Sequence, residues 1–124
     1  MSHVHPSVLV IDDNPEIREV LQAFLRIGGY SVATAENGQD ALSRLHGGLR
    51  PCIILLDLMM PVMDGVEFRE AQLNEPELAD IPVIVFTAVD EPNRTVERLR
   101  ACAYVQKPLS PDALVGLLEA HCLK

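Results

Sequence analysis

Five polar side chains follow strand-like apolar runs at points where a parallel sheet would bring them together. Asp12 and Asp13 directly follow the first run, and Asp57 directly follows the third. Thr87 ends the fourth run, and Lys107 directly follows the fifth. The carboxyl ends of the strands lie at one edge of a doubly wound sheet, where the ligand crevice forms. The spacing therefore predicts three carboxylates, a hydroxyl and an ammonium group in one pocket.

The charges in this pocket restrict its chemistry. Two carboxylates about 4 Å apart repel each other by roughly 4 kcal/mol in a protein-like dielectric, and one lysine does not neutralise three acids. A hard divalent cation does, and oxygen ligands favour Mg²⁺, or Mn²⁺, over zinc. A hydroxyl and an ammonium group opposite a metal-bound carboxylate suit a phosphoryl group. A carboxylate can itself accept that group as an acyl phosphate.

Each of these residues also has a plain structural explanation when it is taken alone. An acid after a strand is usually a helix cap or a loop residue, a threonine can simply end a strand, and a lysine can be a surface charge. The functional interpretation depends on all of them lying at the same end of their strands. Four other aspartates are interpreted as caps and turns: Asp64, Asp80, Asp90 and Asp112.

The elements that must position these residues are five apolar runs that alternate with helical patterns. The predicted strands are Ser7–Ile11, Tyr30–Ala35, Cys52–Leu56, Val83–Phe86 and Ala103–Gln106. The first, third and fourth runs are apolar at nearly every position, which is typical of central strands covered on both faces. The pattern predicts an α/β fold, a doubly wound five-stranded parallel sheet in the flavodoxin-like order 2-1-3-4-5 with helices on both faces.

Five helices are expected to connect and follow these strands. Asn14 and Pro15 are typical of a helix start, and Gly28-Gly29 of a helix end. The other four helices are placed by their end signals and apolar positions: from Asn37-Gly38 to Gly47-Gly48, across Val66 to Leu73, from near Pro92 through Leu99, and from Ser110-Pro111 onward.

Length and composition bound the possible functions. The 124 residues fit one domain, with residues 1–6 as a short tail and residues 7–124 as the folded unit. An apolar content of 48% supports a core and argues against a disordered chain. The net charge of −8 argues against direct nucleic-acid binding. The apolar runs are too short to cross a membrane and no signal peptide is evident, so a cytoplasmic location is expected.

The chain resembles the receiver domain of bacterial two-component response regulators, including the single-domain chemotaxis type. The resemblance covers about residues 7 to 121. Its most specific segment is DLMMPVMDG at residues 57–65. The other matching segments are VLVIDDN at residues 8–14, TA at residues 87–88 and YVQKP at residues 104–108.

The resemblance implies how the acidic residues would act. Asp57 resembles the phosphoacceptor. Asp13, Asp57 and the backbone carbonyl of Met59 resemble direct Mg²⁺ ligands, and Asp12 resembles the acid that holds the ion mainly through water. Lys107 and Thr87 would contact the phosphoryl oxygens.

The resemblance also implies a switch and partners. Tyr104 resembles an aromatic residue that turns inward when Thr87 moves toward the phosphate, and the peptide bond before Pro108 resembles one that is cis in the family. The donor would be a sensor histidine kinase or a histidine phosphotransfer protein, and a downstream effector would read the switch. The chain would be a monomer or a phosphorylation-dependent dimer, without independent turnover of a substrate.

The sequence departs from the family pattern at three places. Arg100-Ala101 stands where a Gly-Ala pair is frequent, so the fourth helix lacks its usual glycine stop. The stretch from Thr87 to Lys107 is short. The residues two positions beyond Asp57 and Thr87, Met59 and Val89, are apolar, and residues at these positions influence attack by water in the family. We therefore expect slow self-dephosphorylation.

Two other classes of protein remain as alternatives. An aspartyl-nucleophile phosphatase would place its two acids two positions apart after the first strand and would need a cap domain. A flavin-binding module would need a Ser/Thr/Gly-rich phosphate loop there, whereas Asp12 and Asp13 would repel the anion. A receiver that no longer accepts phosphate is a third possibility, against which the five polar residues argue.

Overall fold

A parallel sheet forms the centre of the fold. The computed structural model describes residues 7–87, 97–107 and 111–122. Within these ranges the strands are β1 (Ser7–Ile11), β2 (Ser31–Ala35), β3 (Ile53–Leu56), β4 (Val83–Thr87) and β5 (Ala103–Gln106). Their order is β2-β1-β3-β4-β5, and every neighbouring pair is parallel. The predicted fold class and strand order are confirmed.

Helices flank this sheet. In the described residues they are α1 (Pro15–Ile27), α2 (Gly38–His46), α3 (Gly65–Leu73) and α4 (Pro111–Cys122). The predicted fourth helix lies largely outside the described residues, which include only its end at residues 97–99; α4 is therefore the predicted fifth helix. None of the helices in the described ranges is long and apolar enough to cross a membrane.

Local capping explains where the helices begin. The Asn14 side chain accepts hydrogen bonds from the amides of Glu16 and Ile17, at 2.9 and 3.4 Å, and Pro15 occupies the first turn of α1. Asp64 caps α3 through a reciprocal pair with Glu67. Asp64 is thus a cap, as its sequence context indicates.

The alternation of side chains along the strands divides the core between the two faces of the sheet. In β4, Val83 and Val85 pack with buried residues of α2 and α3, whereas Ile84 and Phe86 pack with those of α1 and α4. All residues of β3 and β4 are buried, as are four of the five in β1, while β2 and β5 are partly exposed. This confirms which strands are central and which are edges.

Candidate functional site

The strand ends bring the predicted acids and the lysine to one edge of the sheet. Asp12 and Asp13 follow β1, Asp57 follows β3, and one carboxylate oxygen of each lies within 4.8 Å of the others. The Lys107 ammonium, just after β5, lies 2.8 Å from Oδ2 of Asp12 and 3.5 Å from Oδ2 of Asp57. Thr87 ends β4, is fully buried, and its carbonyl accepts a hydrogen bond from the Lys107 amide at 2.9 Å.

Backbone hydrogen bonds extend the sheet by one residue and thereby hold the two central acids. The Asp57 amide donates to the Ile11 carbonyl at 3.0 Å, and the Asp12 amide donates to the Ala35 carbonyl at 3.1 Å. The carboxylate of Asp12 accepts from the Asn14 amide at 2.9 Å as well as from Lys107. The acids are therefore oriented by the same ladder that builds the strands.

Burial makes the electrostatics of this cluster unfavourable without a further cation. Asp12 is fully buried, Asp57 is 4% exposed, and Asp13 faces solvent. Loss of solvation raises the pKa of the Asp57 carboxyl, the nearby charge of Asp12 raises it further, and Lys107 partly opposes both. The cluster thus combines three carboxylates with one lysine ammonium that pairs with Asp12 and Asp57, and its oxygen-only donor set fits a hard divalent ion.

The loop after β3 forms an open pocket beside these acids. The pocket has a volume of about 420 Å³ and is lined by Asp13, Leu58, Met59, Met60, Pro61 and Asp64. Met59 is 66% exposed, and its amide donates to Oδ1 of Asp57 at 3.4 Å. The pocket therefore has a carboxylate at Asp13 and apolar side chains at Leu58, Met59 and Met60, directly after Asp57 in the chain.

Gly65 fixes how closely α3 approaches the phosphoacceptor candidate. A Cβ atom at this position would overlap the Asp57 carbonyl and lie 2.7 Å from the Leu58 Cα. The Gly65 amide donates to the Leu58 carbonyl at 3.1 Å. Glycine is therefore required where the loop folds back onto the residue that follows β3.

Two side chains at the site were missed by the sequence analysis. Nη1 of Arg18, in the second turn of α1, donates to the Asp12 carbonyl at 2.6 Å. The Phe86 ring lies under the Lys107 ammonium, with 4.9 Å between Nζ and the ring centroid. Helical spacing from Asn14 could have indicated Arg18, whereas the Phe86 contact depends on strand register.

Other predicted site features are only partly described. Tyr104 is partly buried and packs against the core on the α2 and α3 face. Pro108, with the predicted cis peptide bond, and Val89 lie outside the described residues. Their roles stay predictions.

The sheet is flavodoxin-like and carries an acidic cluster and a lysine at its carboxyl edge. These features are typical of proteins that bind a metal ion and a phosphoryl group. Comparison with known proteins identifies the family. Residues 8–119 match the family model described as the response regulator receiver domain. The chain therefore belongs to the receiver domain family of two-component response regulators. This assignment favours the receiver interpretation over the phosphatase and flavin alternatives.

Named relatives support the same assignment. The chain is 35% identical to the phosphate regulon transcriptional regulatory protein PhoB of Pseudomonas aeruginosa over 119 residues, which cover 94% of this chain and 52% of PhoB. It is 36% identical to the response regulator MprA of Mycolicibacterium vanbaalenii over 115 residues, 91% of this chain and 48% of MprA. The chain spans about half the length of these curated relatives.

Two solved structures match over nearly their full length. The chemotaxis protein CheY4 of Vibrio cholerae is 29% identical with a TM-score of 0.87, and the match covers 95% of this chain and 99% of CheY4. A putative response regulator from Chloroflexus aurantiacus is 26% identical with a TM-score of 0.88, covering 98% of this chain and all of that one. Phosphorylation and Mg²⁺ binding at an acidic pocket are typical of the family.

Proposed function

We propose that this chain, as a receiver unit of residues 7–124, accepts a phosphoryl group on Asp57 and thereby switches the binding of a partner protein. One observation carries the proposal. The buried Asp57 carboxylate lies beside two further carboxylates and has the Lys107 ammonium 3.5 Å from its Oδ2. This arrangement combines a nucleophilic oxygen, a site for a cation and a fixed positive charge for the phosphoryl oxygens.

The acidic cluster is proposed to hold Mg²⁺, with Mn²⁺ as a possible substitute. Asp13, Asp57 and the Met59 carbonyl would be the direct ligands, and Asp12 would act mainly through water. The ion, when bound, supplies positive charge that neutralises the carboxylates and the transferred group. The exposure of Asp13 and the oxygen-only donors fit an ion that keeps part of its water shell.

Asp57, Lys107 and Thr87 have different roles in the proposed phosphoryl transfer. An oxygen of Asp57 attacks the phosphorus of a phosphohistidine on the donor, so that an O–P bond forms as the N–P bond breaks. Lys107 pairs with one phosphoryl oxygen, and the hydroxyl of Thr87 hydrogen-bonds another. The donor is proposed to be a sensor histidine kinase or a histidine phosphotransfer protein in the cytoplasm.

The output is proposed to follow from the added charge. A phosphoryl group brings about −1.5 to −2 charges, which draws Thr87 toward Asp57 and lets Tyr104 turn inward. This changes the affinity of the surface formed by the predicted fourth helix, β5 and α4 for an effector protein, or for a second phosphorylated copy. Receiver domains are generally not metabolic enzymes, and we propose no substrate turnover and no direct nucleic-acid binding by this acidic chain.

Labelling by a small phosphodonor tests the assignment of Asp57. With acetyl phosphate and Mg²⁺, the wild-type chain should gain one phosphoryl group by intact-mass spectrometry, and Asp57→Asn should gain none. Asp80→Asn is the matched control, because Asp80 is an exposed turn residue outside the site. Persistent labelling of Asp57→Asn would refute the assignment.

A further inference from the structure

The fully buried Phe86 lies under Lys107 because of the register of the last two strands. Phe86 pairs with Val105, two residues before Lys107, so both side chains lie on the same face of the sheet and are diagonal neighbours. The Phe86 side chain is 1% exposed, and its ring packs with residues of α1 and α4. The ring is thus held by the core while its face meets the ammonium group.

The Lys107 ammonium has three attractive neighbours on this face. Its Nζ lies 2.8 Å from Asp12 Oδ2, 3.5 Å from Asp57 Oδ2 and 4.9 Å from the Phe86 ring centroid. A cation within about 6 Å of a ring centroid is attracted by the negative face of the ring. The lysine side chain is 21% exposed, so this attraction acts in a partly desolvated site.

We infer that Phe86 is a positioning residue whose ring face holds the Lys107 ammonium toward Asp57. A lysine has a flexible stem, and fixing it in one orientation costs rotamer entropy. The ring offsets part of this cost before a phosphoryl group arrives, and it leaves the ammonium hydrogens free for oxygen acceptors. Because Lys107 is the group that would meet the phosphoryl oxygens, this inference rests on the proposed function.

A double-mutant cycle tests the contact without any phosphoryl chemistry. The free energy of unfolding is measured in EDTA for the wild type, Phe86→Leu, Lys107→Met and the double variant. We expect a coupling of about five-fold in the unfolding equilibrium constant between positions 86 and 107. Phe68→Leu, a second fully buried phenylalanine that packs on the other face of the sheet, should show no coupling to Lys107→Met.

A fluorinated ring separates the charge effect from packing. A trifluorinated phenylalanine at position 86 keeps the ring shape and removes most of the negative charge on its face. We expect it, and Phe86→Leu, to weaken the binding of beryllofluoride in the presence of Mg²⁺ by about five-fold. The same fluorinated residue at position 68 should leave this affinity unchanged.

The outcomes distinguish failure of the inference from failure of the proposed function. If the wild type binds beryllofluoride and the ring variants bind it equally well or more tightly, the positioning role of Phe86 is wrong. An absence of coupling in the cycle overturns it as well. If coupling is measured but the wild type does not bind beryllofluoride, the proposed function fails, together with the positioning role that depends on it.

Discussion

Asp57 is a buried carboxylate, and burying its negative charge lowers the stability of the folded chain as long as no ligand is bound. Its carboxylate is 4% exposed and has Asp12 as a like-charged neighbour. Both features raise its pKa, so ionising this group in the folded chain costs stability. The same features create the demand for a cation that the proposed function uses.

This cost predicts how the stability of an Asp57→Asn variant depends on pH. In EDTA at pH 7, the variant should have the larger free energy of unfolding, because it removes a carboxylate that is more easily ionised in the unfolded chain. The gain is about 1.4 kcal/mol for each unit by which the folded-state pKa exceeds its ordinary value. It should shrink as the pH falls through the raised pKa and vanish below the ordinary value of 3.8.

Urea unfolding across this pH range measures the difference. Asp80→Asn, at an exposed turn, should change stability by less than about 0.5 kcal/mol. A destabilised Asp57→Asn variant at pH 7 would contradict the prediction, since it would mean that Lys107 more than compensates for burial.

We expect the side chain of Met59 to affect the lifetime of the phosphorylated state. Its exposed side chain borders the pocket beside Asp57 and carries no group that orients water. We expect slow release of phosphate by the wild type, and release several-fold faster in Met59→Asn, whose amide can hold a water molecule near the phosphorus. A phosphate-release assay on the labelled chain measures both rates, and a wild-type half-life of seconds would contradict the expectation.

The residues at the site differ in how far the sequence could predict them. Asp12, Asp57 and Lys107 were found because each directly follows a strand, and the ends of parallel strands must share an edge. In the sequence, Phe86 is indistinguishable from an ordinary core residue. Its ring lies under Lys107 only because β4 and β5 pair with Phe86 opposite Val105. A contact that depends on register and rotamer has no local signal in the chain.

At the scale of the elements, α2 meets the loop after β3 through Gly38. The Gly38 amide donates to the Met63 carbonyl at 3.0 Å. A Cβ at Gly38 would lie 2.7 Å from Cγ and 3.0 Å from the carbonyl oxygen of Met63. The glycine thus lets the start of α2 pack directly against the loop that carries the pocket.

Two glycine-to-alanine substitutions should therefore have opposite effects. Gly38→Ala should destabilise the chain by about 1–3 kcal/mol, because the Met63 side chain must shift to avoid the added methyl group while the Met63 carbonyl is already in tight contact with it. Gly116→Ala, in α4 with nothing within 4 Å of its added Cβ, should stabilise it by about 0.5–1 kcal/mol through helix propensity. Thermal unfolding measures both, and a stabilised Gly38→Ala would show that the loop adapts freely.

The elements themselves were largely predictable. The apolar runs at β1, β3 and β4 indicated central strands, because a strand that is buried on both faces does not alternate apolar with polar side chains. Strand ends moved by one residue at Tyr30, Cys52 and Thr87, since hydrogen-bond pairing, which the sequence does not display, decides where a strand stops. Capping residues such as Asn14 and Asn37 placed helix starts accurately because their interactions are local.

At the scale of the whole molecule, a buried polar link ties α3 to the chain segment that enters β5. The Arg69 guanidinium, 4% exposed, donates to the carbonyls of Leu99 and Arg100 at 2.8 and 3.0 Å and to the Gln72 side chain at 2.8 Å. Gln72 in turn donates to the carbonyls of Leu78 and Ile81. One connected network thus spans α3, the approach to β4 and the approach to β5.

This network also accounts for the departure from the family pattern at Arg100. Arg100 adopts a φ of 53°, in the left-handed region that favours glycine. Its carbonyl is held by Arg69, so hydrogen bonding from α3 offsets part of the cost of placing a side chain there. The glycine expected from the resemblance is replaced by a long-range contact, which a local sequence pattern does not reveal.

Removing the guanidinium should therefore loosen a distant segment as well as lower stability. Arg69→Met leaves two backbone carbonyls and the Gln72 amide oxygen without this donor. We therefore expect the free energy of unfolding to fall by about 2–4 kcal/mol. Hydrogen exchange should accelerate at residues 99–102, ahead of β5, more than in β1. Arg98→Met, at an exposed position, should change stability by less than about 0.5 kcal/mol. If Arg69→Met lowers stability while exchange at residues 99–102 stays at the wild-type rate, the link stabilises α3 alone and does not anchor the segment that leads to Tyr104 and Lys107.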